Sequence, residues 1–220
     1  MQDLLLTGLV LALLGPPAAL LAFRRAGLDR LTFGALWLLA ALAVLIAVIG
    51  SSRWLSDLGL STVSPKSLAY SFLAAVSAIV IVAWAQALQR SAFGVSETQK
   101  RVFHKLVSRS PRFKLLVLLT AAVAEEILYR GYAIGIGQHF LGVWSATCLS
   151  IAIFTVCHYR WGGAHLVSVF LLAIIFSLLF VLTNDLVACI LAHAAVNAVG
   201  YFLVPLQAPK PGSTSLDSKT

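Results

Sequence analysis

Apolar residues along the chain do not alternate or recur on one helix face. They come in blocks about as long as a bilayer is thick. The blocks lie at 4–22, 31–50, 67–89, 113–136, 141–158, 164–182 and 186–205, and all but 113–136 are free of Asp, Glu, Lys and Arg. At about 20 apolar residues per crossing, these predict roughly seven to eight transmembrane helices and little room for a soluble domain. The fold class is therefore all-α, a polytopic helical bundle. Pro16-Pro17 interrupts the backbone hydrogen-bond ladder of the first block and predicts a kink or an early end there.

Three segments follow from this pattern. Residues 1–110 hold the first spans and a basic loop, residues 111–206 a helical core rich in intramembrane polar groups, and residues 207–220 a tail. The tail, "QAPKPGSTSLDSKT", has the Pro, Gly and Ser content of a disordered segment. No internal repeat is evident. The first block is not a signal peptide, because Arg24 and Arg25 follow the apolar stretch instead of preceding it.

Composition agrees with the pattern: 60% of residues are hydrophobic and 11% charged, and the mean hydropathy is +0.94. A soluble domain carries about 25% charged residues. The net charge of +8 does not point to nucleic acid, because most of the excess lies in short loops. Residues 90 to 114 carry Arg90, Lys100, Arg101, Lys105, Arg109, Arg112 and Lys114 against Glu97 alone. The positive-inside rule makes that loop cytoplasmic, and seven spans then put Arg24, Arg25, Arg30 and Arg160 on the same side. The chain is expected in a plasma or inner membrane with its polar core toward the cytoplasm. Within the loop, "ETQKRVFHKLVSR" reads equally as an amphipathic surface helix or a solvated connector, and His104 there has no special role. Cys148, Cys157 and Cys189 lie in apolar blocks without CxxC spacing and read as small buried thiols.

An ionisable group at the bilayer centre costs at least about 2.5 kcal/mol, so such groups need partners or a task. They form three clusters. The first is "EEILYR": Glu126 and Arg130 are four apart with the acid on the amino-terminal side, the favoured ion-pair arrangement on a helix. Glu125 is rotated about 100° away and has no partner in its own helix. The second is "FTVCH", in which Phe154 and His158 share a face; a Cys157–His158 dyad is disfavoured because adjacent residues diverge. The third is "HAAVN", with His193 and Asn197 one turn apart. Taken singly, each cluster also reads as structure: a charged knot, an interfacial histidine, interhelical hydrogen-bond glue. Counting along the helices puts Glu125 about 18 Å from the cytoplasmic end, level with His193, whereas His158 falls closer to that end.

E-E-x-x-x-R, F-x-x-x-H and H-x-x-x-N, in this order on successive hydrophobic segments, resemble the CPBP family, which comprises the type II CAAX prenyl endopeptidases and the bacteriocin-processing or Abi proteins. The likeness covers roughly residues 113 to 200 and includes Gly131 after the first motif. It implies an intramembrane endopeptidase. Glu125 would activate the hydrolytic water with His158, His193 and Asn197 would hold the oxyanion, and Glu126, Arg130 and Phe154 would support them. The implied partners are a peptide or membrane-protein substrate, prenylated in one version, and the lipid bilayer; nucleic acid is not among them. Glu125, His158 and His193 would also suit a zinc ion with an open position for water, so metal-free and zinc-dependent chemistry both stay open. Two other readings use the same residues: a catalytically silent membrane scaffold of the immunity-protein kind, and a proton-coupled transporter, which would require inverted repeats that the sequence lacks.

Overall fold

The computed structural model describes residues 1–26, 31–61, 63–93, 109–159 and 163–203. The surface-helix reading of the basic loop, the disordered tail, and the positions of Arg30, His104 and Arg160 fall outside these residues. The described chain is helical throughout. Its elements are α1 (Gln2–Arg25), α2 (Thr32–Gly50), the short α3 (Trp54–Asp57), α4 (Pro65–Phe93), α5 (Pro111–Leu119), the short α6 (Gln138–Leu141), α7 (Val143–Cys157), α8 (Gly163–Thr183) and α9 (Leu186–Ala198). α5 runs on as π-helix through Thr120–Glu125 and Ile127–Ile136, and α9 runs on as π-helix through Val199–Leu203.

Each apolar block thus becomes one helical body, and the protein is a multi-pass helical membrane protein. Gln2–Arg25, Thr32–Gly50, Pro65–Leu88 and His165–Thr183 are long and apolar enough to cross a bilayer, and Val143–Cys157 and Leu186–Phe202 are shorter apolar helices. α1 is not shortened by its prolines: Pro16 and Pro17 lie inside a helix that continues to Arg25. Neighbours supply the packing that offsets the lost backbone bonds.

Successive helices run antiparallel, and side-chain contacts mark the two ends of the bundle. At one end Arg24 donates to the Tyr159 hydroxyl (2.7 Å), Phe33 meets Phe113 edge-on, and the Lys114 ammonium sits 5.9 Å from the Phe202 ring centre. At the other end Asn184 donates to the Ser56 carbonyl (3.1 Å), the Leu186 N–H donates to the Gly59 carbonyl (2.8 Å), and His139 lies 3.4 Å from Asp57. Arg24 and Lys114, two of the cations that oriented the sequence, therefore share an end.

The π-helical stretch from 120 to 136 was not foreseen. Thr120 bonds back to the Leu116 carbonyl (2.8 Å) while accepting from the Trp37 indole (3.0 Å), and the winding changes at that residue. Ser150 of α7 donates to the Tyr129 carbonyl (2.8 Å), giving one acceptor in the loosened ladder a side-chain partner. π-helical turns are rare and concentrate at functional sites. This helix is also the most deeply buried: every residue from Leu128 to Ile136 is enclosed. Gly135 makes that possible on one side, because a Cβ there would collide with the Asp57 carbonyl oxygen. α1 closes the other side, where the Tyr132 hydroxyl donates to the Leu5 carbonyl (3.1 Å).

The cysteines are only partly as expected. Cys189 is buried, Cys157 is half-buried and Cys148 is exposed at the bundle surface. A thiol is apolar enough to face lipid, so an apolar block alone does not bury it.

Candidate active site

Two buried polar groups of the described core, Arg130 and His193, converge on Glu126. Its Oε1 accepts from Arg130 Nη1 at 2.9 Å and from His193 Nδ1 at 2.7 Å. Glu126 and Arg130 are 0% and 1% exposed. A carboxylate oxygen accepts, so His193 Nδ1 carries the proton of this bond and Nε2 is the nitrogen left for other work. Arg130 is held further by the Ala173 carbonyl (Nη2, 3.3 Å) and lies over the rings of Phe154 (4.8 Å) and Phe176 (5.8 Å). The expected i,i+4 ion pair is there, and Glu126 does more than neutralise the arginine: it also fixes the histidine of the third cluster.

Each element earns its place from local sequence. Ser110 caps α5 by accepting from the Phe113 N–H (3.3 Å), with Pro111 in the first turn where its missing N–H costs nothing. Asp185 caps α9 by accepting from the Ala188 N–H (3.0 Å) and is bonded to Ser67 of α4, while Ser71 donates to the Ala188 carbonyl (2.7 Å). That start fixes the phase of α9, which delivers His193 to Glu126 two turns later.

The second cluster sits at the carboxyl end of α7. His158 is its C-cap residue, and His158 Nδ1 donates to the Phe154 carbonyl at 2.9 Å, so Nε2 is again the uncommitted nitrogen. The rings of Phe154 and His158 are 4.8 Å apart, as a shared face predicts. Cys157 makes no dyad with His158; its sulfur is 3.3 Å from the Tyr129 hydroxyl. Glu125 is partly buried and feels both His158 and His193 electrostatically, along with Glu126 and Arg130. Asn197 is partly buried one turn beyond His193 and takes no part in the bonds around Glu126.

The depth mismatch has a structural reason. α7 ends at Cys157, so His158 stands at the end of the bundle marked by Arg24 and Tyr159. Glu125 ends a stretch of six π-wound residues, which close bonds over five residues and advance less per residue than an α-helix. It therefore lies nearer that end than an α-helical count implies.

Among the described residues no three His, Cys, Asp or Glu side chains are grouped to hold a metal ion. Each of the two histidines bonds through Nδ1, to Glu126 or to the Phe154 carbonyl, and keeps its Nε2 uncommitted. A cleft of about 280 Å³ at the opposite end, lined by Arg53, Asp57, His139 and Asn184 among others, contains none of the motif residues.

Three neighbours were missed by the sequence reading. Phe176 stacks on His193 with ring centres 5.2 Å apart, Tyr129 meets Phe154 edge-on at 5.0 Å, and the His165 ring is 6.3 Å from that of His158. Tyr129 lies within the first motif and was legible by position. Phe176 and His165 carry no spacing signal.

The fold and these residues define a helical membrane protein whose buried charges are gathered in one domain. The model of the type II CAAX prenyl endopeptidase Rce1-like family matches residues 109–199. That segment is similar to the Rce1-like family, in agreement with the CPBP resemblance, and the family implies protease activity in general terms. It contains all three motifs. No match was found among curated proteins, and none among solved structures.

Proposed function

We propose that the protein is an intramembrane endopeptidase in which Glu125 and His158 activate water and His193 and Asn197 stabilise the oxyanion. The observation that carries this reading is the 2.7 Å bond from His193 to Glu126, because it leaves the neighbouring Glu125 outside the ion pair while joining the first motif to the third. A carboxylate withdrawn from bulk water is an effective general base. Glu125 takes a proton from water, and the hydroxide oxygen bonds to the scissile carbonyl carbon. The carbonyl oxygen gains charge against the Asn197 amide and against His193 Nε2–H when the ring carries both protons. Collapse breaks the C–N bond, and the proton held by Glu125, with His158 beside it, passes to the leaving amine. Glu126, Arg130 and Phe154 keep the histidines in place.

The substrate in this reading is a peptide or membrane protein reached from the cytoplasmic end, prenylated or not. Support for that side comes from His158, which caps α7 beside Tyr159 and its bond to Arg24. No step above passes through an ion.

A scaffold reading also has an observation in its favour. The Glu126–Arg130–His193 knot ties the π-helical body to α8 and α9 whether or not Glu125 reacts. Against it, Glu126 Oε2 and Arg130 Nε are buried without a hydrogen-bond partner among the described residues, whereas a purely structural knot gains most from full satisfaction. Purified wild type and Glu125→Gln, offered a quenched peptide library with and without chelator, separate the two. Cleavage by wild type alone supports the protease, and the chelator arm reports metal dependence. Equal cleavage by both removes Glu125 as the base.

A further inference from the structure

We infer that Phe176, which lies outside the three motifs, is a positioning residue for His193. This rests on the protease reading only for its kinetic consequence. Phe176 is 1% exposed on α8, on a buried face that also carries Val169, Ala173 and Phe180 at helical spacing. A buried phenylalanine ordinarily packs against aliphatic carbon. This one belongs to an apolar cluster with Ile134, Leu179 and Leu186 and meets two polar partners as well: its ring is stacked on the His193 imidazole at 27° and 5.2 Å, and the Arg130 guanidinium lies 5.8 Å from its centre.

Both partners converge on the same oxygen, Glu126 Oε1. An imidazole joined to its helix by two rotatable bonds can flip its ring and exchange a nitrogen for a carbon at that oxygen. A stacked ring fixes the imidazole plane and opposes the flip, and the guanidinium is attracted to the same π-system. The α8 backbone is pinned at this point: the Ala173 carbonyl accepts from Arg130, and the Cys189 thiol reaches the Phe176 carbonyl at 3.6 Å. Phe176 therefore holds the imidazole in the plane where Nδ1 meets Glu126 and Nε2 is left for the substrate. Phe154 stands in the same relation to His158 and Arg130 through the second motif, so one guanidinium is flanked by two rings, each holding a histidine.

The test compares wild type, Phe176→Leu, Phe176→Met and Phe176→Tyr in nanodiscs with ¹⁵N-labelled histidine, the His193 signals being assigned with His193→Gln. The expected result is a protected, downfield Nδ1 proton on His193 in wild type and Phe176→Tyr, lost or exchanging in the leucine and methionine variants. The kcat of the two aliphatic variants should fall roughly tenfold to a hundredfold with KM little changed, as for a small misplacement of a reacting group. Persistence of the Nδ1 proton in a folded leucine or methionine variant overturns the assignment. So does its loss in all three variants, which marks Phe176 as packing alone. If the proton behaves as expected but wild type cleaves nothing, the positioning role stands and the protease reading falls.

Discussion

His193 Nδ1 and Glu126 Oε1 are 67 residues apart in sequence and 2.7 Å apart in space, and the same oxygen holds Arg130 at 2.9 Å. Two donors on one buried oxygen make Glu126 the hinge of the domain. Its replacement by glutamine leaves a fully buried guanidinium without a counter-charge. Glu126→Gln is expected to lose about 3–5 kcal/mol of stability, and Arg130→Met a similar amount. The double variant should lose clearly less than the sum, because removing both charges strands neither. Reversible unfolding in mixed micelles measures all three, and strict additivity would contradict the pairing.

Glu125 should behave in the opposite way. It makes no bond to that knot, so Glu125→Gln is expected to keep the unfolding midpoint of wild type. Its cleavage rate should drop by about 10²–10⁴-fold, the usual contribution of a general base. A variant that unfolds early would instead mark Glu125 as structural.

Asn197 is predicted to act on the transition state and little on binding. Loss of one oxyanion donor typically lowers kcat about 10²–10³-fold. Steady-state kinetics of Asn197→Ala should therefore show kcat reduced with KM nearly constant. A rise in KM at unchanged kcat would reassign the amide to substrate binding.

Gly135 tests the π-helical body away from the chemistry. A methyl group there meets the Asp57 carbonyl, so Gly135→Ala must move α3 or the helix carrying the first motif. Overpacking of this kind costs about 1–3 kcal/mol. Gly163 has open space around its Cβ position, so Gly163→Ala serves as the control and should be tolerated by the same assay.

The orientation is open to labelling. In a chain whose Cys148, Cys157 and Cys189 are replaced by alanine, Tyr159→Cys should react with a membrane-impermeant maleimide only from the cytoplasmic face. Ser56→Cys should react only from the opposite face. The reverse pattern would invert the topology derived from the arginines.

Much of this protein is written in its sequence. Hydrophobic block length is a local quantity set by bilayer thickness, so all seven helical bodies were legible, with ends within a few residues of those found. The Glu126–Arg130 pair and the shared face of Phe154 and His158 were also local, being one helical turn apart. The tertiary structure decided the rest. Which carboxylate receives His193 depends on the phase of α9 against the motif helix, fixed by Asp185, Ser67 and Ser71 across more than a hundred residues. The π winding after Thr120 depends on Trp37 and Ser150 donating hydrogen bonds to it from other helices. Phe176 became more than a core residue only because two chemically different partners were carried to it by separate elements. Periodicity along a chain reports the environment of each position, whereas contact between helices depends on their relative rotation and depth, which no single segment encodes.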